Sequence, residues 1–313
     1  MAVLVDDTSR IVVQGATGRT GRNLVERMVA EGGPVVGGIS PSRAGGEVAG
    51  LPVYGSCYEA VAALDAKTSF VCVPAPFAGD AALEAIDAGI ATLVIYTEGL
   101  PVHDAVEVCA FARARDARVI GPNAAGCISP GLANLSDLNA RLLMPGPVGI
   151  VSKSGTLTYE VIDSLIGHGL GQTTVACLGG DPVVGTSHGE VLEMFEEDPA
   201  TRAVVLIGEI GGRSELDAAH VVKRMSKPVI AYIAGRYAPP GKRMGHAGAL
   251  LGTSDENVPG KRAALEKAGA IVVSDLLKIG DEVRRALAQV EPPSVADNVA
   301  IRESREDTHV DQV

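Results

Sequence analysis

The chain contains no tryptophan and only four phenylalanines among its 313 residues. Its core must therefore be built from aliphatic side chains, mainly Val, Ile, Leu and Ala. Such a composition, together with 38 glycines, is typical of parallel sheets buried beneath helices. At this length we expect two domains of ordinary size.

Cysteines, long apolar runs and positive charge are also scarce. The five cysteines form no CxxC or mixed cysteine–histidine spacing, which predicts reduced, buried thiols and no metal site. No apolar stretch reaches the ~18 residues of a membrane span, and the N-terminus lacks a basic-then-apolar leader. We therefore expect a soluble, cytoplasmic protein without a membrane interaction. The net charge of −11 argues against nucleic acid as a partner.

Short apolar runs alternate with helical patterns in two successive series. The first series predicts strands near residues 11–14, 34–39, 70–73, 92–96 and 118–121, with helices near 20–30, 78–88 and 102–114. The second predicts strands near residues 148–151, 174–178, 203–207, 229–233 and 270–273, with helices near 157–168, 189–197, 215–225, 261–268 and 279–288. This alternation predicts right-handed strand–helix–strand units and parallel sheets.

The two series divide the chain into two doubly wound α/β domains, over residues 1–125 and 147–290. Residues 126–146 are rich in proline, glycine and asparagine, which predicts a linker. Residues 291–313 are polar and charged, which predicts a disordered tail.

A glycine loop, residues 15–21, follows the first predicted strand and opens a helix. Its glycines let backbone N–H groups and a helix N-terminus face a phosphate, although a tight turn without a ligand is the alternative. After the second strand the chain lacks the acid that holds the ribose of NAD, and it carries Arg43 instead. A cation without a carboxylate suits a phosphorylated ribose, as in NADP or coenzyme A, and we favour the 3′-phosphate of CoA. The alternative for Arg43 is a solvated surface charge.

Later strands of the same sheet end at Pro74 and at residues 97–99. In open α/β sheets such carboxyl-end segments line the ligand crevice. The alternative is ordinary turn chemistry.

The second domain has a comparable strand–helix turn at Ser154, Gly155 and Thr156. Ser154 is a candidate N-cap, and the next two residues leave N–H groups free in the first turn. A helix start of this kind can hold a phosphate. Ordinary capping is the alternative.

One imidazole, His246, lies in a glycine-rich loop with two cations, after a predicted buried strand. A neutral imidazole is nucleophilic near neutral pH and can accept a phosphoryl group, whereas the alternative is a solvent-exposed loop histidine. Glu209 ends a central strand, where an acid seldom lies without a partner. It can accept a hydrogen bond from one nitrogen of His246, and the alternative is a salt bridge to Arg213 or Arg243.

Together these segments resemble the alpha subunit of succinate–CoA ligase (succinyl-CoA synthetase) and its close acid–CoA ligase paralogues, such as malate–CoA ligase. The likeness covers about residues 3–288 in order. The matching segments are Gln14–Gly18, Val73–Phe77, Glu84–Ile90, Tyr96–Gly99, Gly149–Glu160, Leu192–Phe195, Ile207–Gly212 and Gly241–Ala249.

The resemblance implies a CoA-binding Rossmann-like domain followed by a flavodoxin-like ligase domain. It places the active-site histidine at His246 and the carboxylate that steadies it at Glu209. The implied CoA contacts are Thr17, Gly18, Arg19, Thr20, Arg43, Pro74, Tyr96, Thr97 and Glu98. The implied substrate and phosphate contacts are Tyr159, Asn123, Ser154, Gly155 and Thr156.

The implied reaction makes an acyl-CoA from a carboxylic acid, CoA and ATP or GTP, through a phosphohistidine and an acyl phosphate. A separate ATP-grasp beta subunit would bind the Mg²⁺–nucleotide, in a heterodimer or heterotetramer. This chain has no Walker A motif, which fits a partner for the nucleotide.

The chain departs from the family after Ala249, where residues 250–260 replace the usual glycine-rich segment, and Arg43 replaces the usual lysine. The acid therefore stays open between succinate, malate and another di- or tricarboxylate. Two other functions are considered. An NADP-dependent oxidoreductase would explain the first glycine loop but gives no role to the histidine loop or the second domain. A non-catalytic CoA-binding regulator would have lost its ligase activity through the changes in the loop after His246.

Overall fold

The computed structural model describes residues 2–239, 242–250 and 254–289. The strands are β1 Ile11–Gln14, β2 Val35–Ile39, β3 Glu47–Val48, β4 Leu51–Tyr54, β5 Thr68–Val71, β6 Thr92–Ile95, β7 Arg118–Ile120, β8 Gly126–Ser129, β9 Ala133–Ser136, β10 Pro145–Ser152, β11 Gln172–Cys177, β12 Ala203–Glu209, β13 Val229–Ala234 and β14 Ile271–Val273. The helices are α1 Arg19–Ala30, α2 Cys57–Leu64, α3 Ala75–Asp87, α4 Val102–Ala114, α5 Gly155–Ile166, α6 His188–Glu197, α7 Ser214–Val222, α8 Val258–Lys267 and α9 Ile279–Gln289. The tail predicted over residues 291–313 lies outside the described residues.

The first sheet has the strand order β3-β4-β2-β1-β5-β6-β7. Without the short antiparallel strand β3, its parallel strands follow the order 3-2-1-4-5-6 of a Rossmann fold. The order reverses between β1 and β5, so the ligand crevice of this sheet lies beyond the carboxyl ends of those two strands.

The second sheet has the order β14-β13-β12-β10-β11-β8-β9. Its five parallel strands, β10 to β14, follow the flavodoxin-like order 2-1-3-4-5. This order reverses between β10 and β12, which places a second crevice at residues 153 and 210, just beyond those strands. The predicted α/β class, Rossmann-like and then flavodoxin-like, is confirmed.

Aliphatic strands form the cores of both sheets. Every residue of β1 and of β12 is buried, as expected for parallel strands covered by helices on both faces. Gly149 in β10 allows α6 to pack closely, because a Cβ there would lie 2.7 Å from the ring of Phe195. All five cysteines are free, and burial raises the pKa of the Cys177 thiol to about 12.

The expectation of a linker over residues 126–146 is wrong. Strands β8 and β9 form an antiparallel hairpin that pairs with β11, and both strands are fully buried. Their polar side chains are satisfied internally, since the Asn134 amide donates to the Leu138 carbonyl oxygen at 3.0 Å. Composition therefore misled the prediction, because the polar residues of this segment bond to protein rather than to water.

The same hairpin holds the two domains together. Arg27 of α1 donates to the Ser136 carbonyl oxygen at 3.0 Å, and the Asn134 amide donates to Glu31 at 2.8 Å. Beyond the hairpin, the backbone N–H of Gly185 donates to the Gly121 carbonyl oxygen at 2.9 Å. Within the described part of the chain, every helix is too short or too polar to cross a membrane.

Candidate active site

The loop that carries His246 lies against the turn that follows β11. The backbone N–H of Gly248 donates to the Gly180 carbonyl oxygen at 2.8 Å, and Ala249 N–H donates to the His246 carbonyl oxygen at 3.1 Å. A Cβ at Gly180 would lie 2.1 Å from Cγ of His246. The imidazole therefore packs directly on backbone, at a position where only glycine fits.

Glu209, the last residue of β12, contacts this imidazole. Its Oε2 lies 2.8 Å from Nδ1 of His246. The hydrogen bond to Glu209 raises the pKa of His246, and burial of the ring acts in the opposite direction. Arg213, one of the two alternative partners predicted for Glu209, instead lies 3.9 Å from Asp217. With Nδ1 donating to a carboxylate, the tautomer is fixed and Nε2 keeps a lone pair.

A buried lysine from α8 anchors the end of β12. Lys261 Nζ donates to the carbonyl oxygens of Glu209 and Gly211, both at 2.7 Å, and to the Glu215 carboxylate. Glu215 in turn accepts the backbone N–H of Glu209 at 3.1 Å. The main chain on both sides of the Glu209 side chain is therefore held by buried bonds.

Charged neighbours decide the ionisation of this buried cluster. Burial alone would raise the pKa of Glu215, but Lys153, His188 and Lys261 together hold it below its usual value. Burial lowers the pKa of His188, whose Nδ1 lies 2.8 Å from the Ser214 hydroxyl. The cluster thus keeps the buried Glu215 carboxylate ionised.

A cavity of about 350 Å³ lies between the two domains, next to His246. It brings together predicted residues from both halves of the chain. Its lining includes Tyr96, Thr97, Glu98, Asn123, Ser154, Gly155, Thr156, Tyr159 and His246. Residues distant in sequence and predicted to handle CoA, phosphate or acid therefore share one space with the candidate nucleophile.

The first turn of α5 faces this cavity with free backbone N–H groups. Ser154 is the N-cap, and its hydroxyl accepts the N–H of Leu157 at 3.2 Å. The first turn carries no acidic side chain, so the positive end of the helix dipole is not neutralised locally. Gly155 and Thr156 line the cavity, where such a helix start suits an anion.

Other polar groups shape the cavity wall. The Asn123 amide donates to Asp181 at 3.1 Å, and burial raises the pKa of the Asp181 carboxyl. Burial likewise raises the pKa of Asp137, which lines the cavity. The Tyr159 hydroxyl accepts the backbone N–H of Asn139 at 2.8 Å. Among the described residues, no group of three or more His, Cys, Asp or Glu side chains could hold a metal ion.

Sequence reasoning did not assign Asp137 or Lys153, which both line the cavity, to the site. Asp137 follows the hairpin of β8 and β9, which the composition of residues 126–146 does not reveal. Lys153 carried a detectable signal, because a cation directly after a buried strand lies at the carboxyl edge of the sheet.

The predicted CoA loop after β1 has the backbone that phosphate binding requires. Gly15 has φ +81°, and a Cβ at Gly21 would lie 2.2 Å from the Gly15 carbonyl oxygen. Gly18 caps α1 without a side-chain hydrogen bond, and the first turn has no acidic residue. Arg19 and Thr20 are exposed there, so this helix start fits an anionic group.

The remaining predicted CoA residues continue along the same sheet edge. Arg43 is exposed in a short turn after β2, and the Thr17 hydroxyl lies 2.8 Å from that of Ser40. Pro74 caps α3 after β5. None of residues 17–20, Arg43 and Pro74 lines the 350 Å³ cavity. Because β2, β1, β5 and β6 are neighbours, these residues instead form a path that reaches the cavity at Tyr96.

Comparisons with known proteins agree with this arrangement. A family model described as a CoA binding domain matches residues 6–99, and one described as CoA-ligase matches residues 151–275. The alpha subunit 1 of ADP-forming succinate–CoA ligase from Archaeoglobus fulgidus is 49% identical over 92% of this chain and 99% of its own length. The malate–CoA ligase alpha subunit of Methylorubrum extorquens is 40% identical, with coverage of 92% and 99%.

A solved structure shares the whole architecture. ATP citrate lyase from Methanothrix soehngenii, in complex with citrate and coenzyme A, has a TM-score of 0.85 and 25% identity over 96% of this chain. The chain spans 56% of the length of that protein. A dinucleotide-forming acetyl-coenzyme A synthetase from Ca. Korarchaeum cryptofilum, at 21% identity and a TM-score of 0.72, shows the same fold. The chain is a CoA-binding, two-domain ligase subunit and belongs to the family of succinate–CoA ligase alpha subunits.

Proposed function

We propose that this subunit makes an acyl-CoA from a dicarboxylic acid, CoA and ATP or GTP, with His246 as a transient phosphoryl carrier. The observation that carries the proposal is the position of His246. Its Nδ1 is committed to Glu209 at 2.8 Å, and the residue lines a cavity shared with the free N-terminus of α5.

In the first step the lone pair of Nε2 attacks the terminal phosphorus of the nucleotide. The N–P bond forms while the P–O bond to the nucleoside diphosphate breaks, and the electron pair leaves with that oxygen. The Nδ1 proton stays in the hydrogen bond to Glu209, whose charge stabilises the cationic ring of the phosphorylated histidine.

In the second step an oxygen of the acid attacks the same phosphorus, and the N–P electron pair returns to Nε2. The acid becomes an acyl phosphate. The CoA sulfur then bonds to the acyl carbon, the C–O bond to the phosphate breaks, and the departing phosphate takes the electron pair and the thiol proton. The free N–H groups of Gly155 and Thr156 would stabilise the phosphate charge during transfer. Tyr159, fixed through Asn139, would position the acid.

CoA supplies the thiol that receives the acyl group. The uncapped start of α1 at Gly18 and the exposed Arg43 would hold its phosphates. Tyr96, Thr97 and Glu98 lie where that path enters the cavity, so they would guide the reactive end toward His246.

The nucleotide requires a second chain. An alpha subunit implies a beta partner, and we propose an ATP-grasp subunit that binds the Mg²⁺–nucleotide and approaches the His246 loop. This assignment is supported by the absence of a Walker A motif from the sequence.

The acid is proposed to be succinate, malate or a related dicarboxylate, because the relatives named above act on succinate and malate. Residues 251–253, part of the segment that departs from the family, lie outside the described residues. A screen of di- and tricarboxylates for nucleotide-dependent thioester formation identifies the preferred acid.

The proposal is tested by incubating the chain and its beta partner with γ-labelled ATP or GTP. We expect one acid-labile, base-stable label on the chain, which disappears in His246→Ala. Retained CoA binding without any label would support the non-catalytic regulator instead, whereas reduction of NADP⁺ by a hydroxy acid would support the oxidoreductase.

A further inference from the structure

Lys153 lies at the boundary between the buried charge cluster and the cavity. It stands between Ser152, the end of β10, and Ser154, the N-cap of α5. Its backbone N–H donates to the Ile207 carbonyl oxygen at 3.1 Å, which fixes this residue at the point where the strand order reverses. Its side chain is only 9% exposed, yet the residue lines the cavity together with His246.

The ammonium of Lys153 is not bound tightly by the carboxylates beneath it. Nζ lies 3.9 Å from Glu209 Oε1 and 3.9 Å from Glu215 Oε1, both beyond hydrogen-bonding distance. Glu209 Oε1 has no hydrogen-bond partner among the described residues. Since an ammonium has three donors, Lys153 retains hydrogen-bonding capacity for a ligand.

Lys261, by contrast, uses all three of its hydrogen-bond donors within the protein. It is fully buried, donates directly to Glu215 and to two carbonyl oxygens, and does not line the cavity. The cluster therefore contains two different lysines. Lys261 is fully bonded inside the protein, whereas Lys153 makes only long contacts and borders the cavity.

The charge of the cavity requires such a cation. Its described lining includes the carboxyl groups of Glu98 and Asp137, and Lys153 is the one lysine or arginine in it. A phosphoryl group adds a further charge of about −1.5 to −2. The helix N-terminus at Ser154 supplies only about half a positive charge, which does not balance that dianion.

We propose that Lys153 binds the phosphoryl group in this cavity, donating to its oxygens while the group is on Nε2 of His246 and while it passes to the acid. The inference rests on the proposed phosphohistidine and adds a residue to it. Lys153 forms no covalent bond and gives up no proton. Its charge stabilises the phosphoryl oxygens during transfer, which is the role that fixed cations have in phosphoryl-transfer sites.

Two variants of Lys153 and one matched control test the assignment in the complete complex with the beta subunit. Lys153→Met removes the charge at similar length, and Lys153→Arg keeps it. Lys223→Met makes the same charge change on an exposed lysine at the end of α7. The readouts are the single-turnover rate of His246 labelling and the affinity for CoA.

We expect Lys153→Met to slow labelling by about tenfold to hundredfold, the loss of one charge-assisted hydrogen bond. Lys153→Arg should restore most of the rate, and Lys223→Met should leave it unchanged. CoA affinity should be the same in all four proteins, which general damage to the fold would not allow.

The outcomes separate this inference from the function on which it rests. No label on the unaltered chain overturns both, whereas labelling of Lys153→Met at the unaltered rate overturns only the role of Lys153.

A crystal structure of the phosphorylated, unaltered complex gives a check that needs no variant. It should place Nζ within about 3.2 Å of a phosphoryl oxygen, and an Nζ out of reach of that group would reject the assignment.

Discussion

At the scale of single residues, Glu209 connects the imidazole of His246 to the buried charge cluster of the second domain. Its Oε2 lies 2.8 Å from His246 Nδ1, and its Oε1 lies 3.9 Å from Lys153. Its peptide N–H and carbonyl are bound by Glu215 and Lys261. These buried bonds fix the main chain at Glu209, so its carboxylate lies within hydrogen-bonding distance of the imidazole before any ligand arrives.

The rate of His246 phosphorylation should rise with pH. Glu209 raises the pKa of this imidazole above 6.5, and below that pKa Nε2 carries a proton and cannot attack. We expect the single-turnover rate to increase through a midpoint above pH 6.5 and then to level off.

Glu209→Gln should move this midpoint to lower pH, because a neutral amide favours the imidazolium less. The plateau rate should also fall about tenfold to hundredfold, as for the loss of a charged hydrogen bond. A midpoint that does not move would show that Glu209 does not set the charge of His246.

Gly180→Ala should abolish phosphorylation without unfolding the protein. The new Cβ would lie 2.1 Å from Cγ of His246, so the exposed loop must move and the bond to Glu209 must break. Gly167→Ala, at the far end of α5, is the matched control because its nearest neighbour would lie at 3.5 Å. Normal labelling of Gly180→Ala would show that the imidazole of His246 does not pack on Gly180 when it is phosphorylated.

Part of this site could be predicted from the sequence, for a physical reason. Ser154 and His246 belong to a turn and a loop that follow buried strands, and in α/β proteins such segments meet at one sheet edge. Asp137 could not be assigned, because the composition of residues 126–146 did not reveal the hairpin that it follows. Lys153 was not assigned either, although its position directly after a buried strand was a usable signal.

At the scale of helices and strands, the site depends on the buried hydrogen bonds between α8 and the end of β12. Lys261 of α8 joins the end of that strand to Glu215 of α7. The alternation of strands and helices was predictable because parallel strands carry continuous apolar runs. The hairpin of β8 and β9 was not, since its strand β8 pairs with β11, where Ala176 lies opposite Cys127, far along the chain.

Lys261→Met should destabilise the protein by about 3–5 kcal/mol, since it removes the one lysine that is hydrogen-bonded to the buried Glu215 carboxylate among the described residues. Lys267→Met, on the exposed face of the same helix, should change stability by less than about 0.5 kcal/mol. The free energy of unfolding in urea measures both.

Replacing both members of this pair, in Glu215→Leu with Lys261→Met, should recover part of the loss because the double variant no longer buries the Glu215 charge without Lys261. A double variant less stable than Lys261→Met alone would contradict this account of the pair.

At the scale of the whole molecule, the two sheets present their ligand crevices to each other. The first crevice leads from Arg43 along the strand ends to Tyr96, and the second holds His246 and the start of α5. The 350 Å³ cavity is where they meet. Under the proposed function, this arrangement would let one chain hold CoA and the phosphoryl carrier together, while a partner would bind the nucleotide.

The isolated chain should therefore bind CoA without the beta subunit. At a CoA concentration of 100 times Kd, the free energy of unfolding should increase by about 2.7 kcal/mol, measured as a rise in Tm. Arg43→Met should weaken the affinity about tenfold, as expected for one lost phosphate contact.

Arg113→Met removes an exposed arginine from α4 and should leave CoA affinity unchanged. Equal affinities for Arg43→Met and Arg113→Met would place the ribose phosphate elsewhere on the sheet edge.

The most direct test follows the phosphoryl group of the isolated phosphorylated complex after all nucleotide has been removed. On addition of the acid and CoA, with no nucleotide present, each labelled His246 should yield one inorganic phosphate and one thioester, at equal rates. A label that stays on the protein while thioester forms only with fresh nucleotide would contradict the central claim that His246 carries the phosphoryl group.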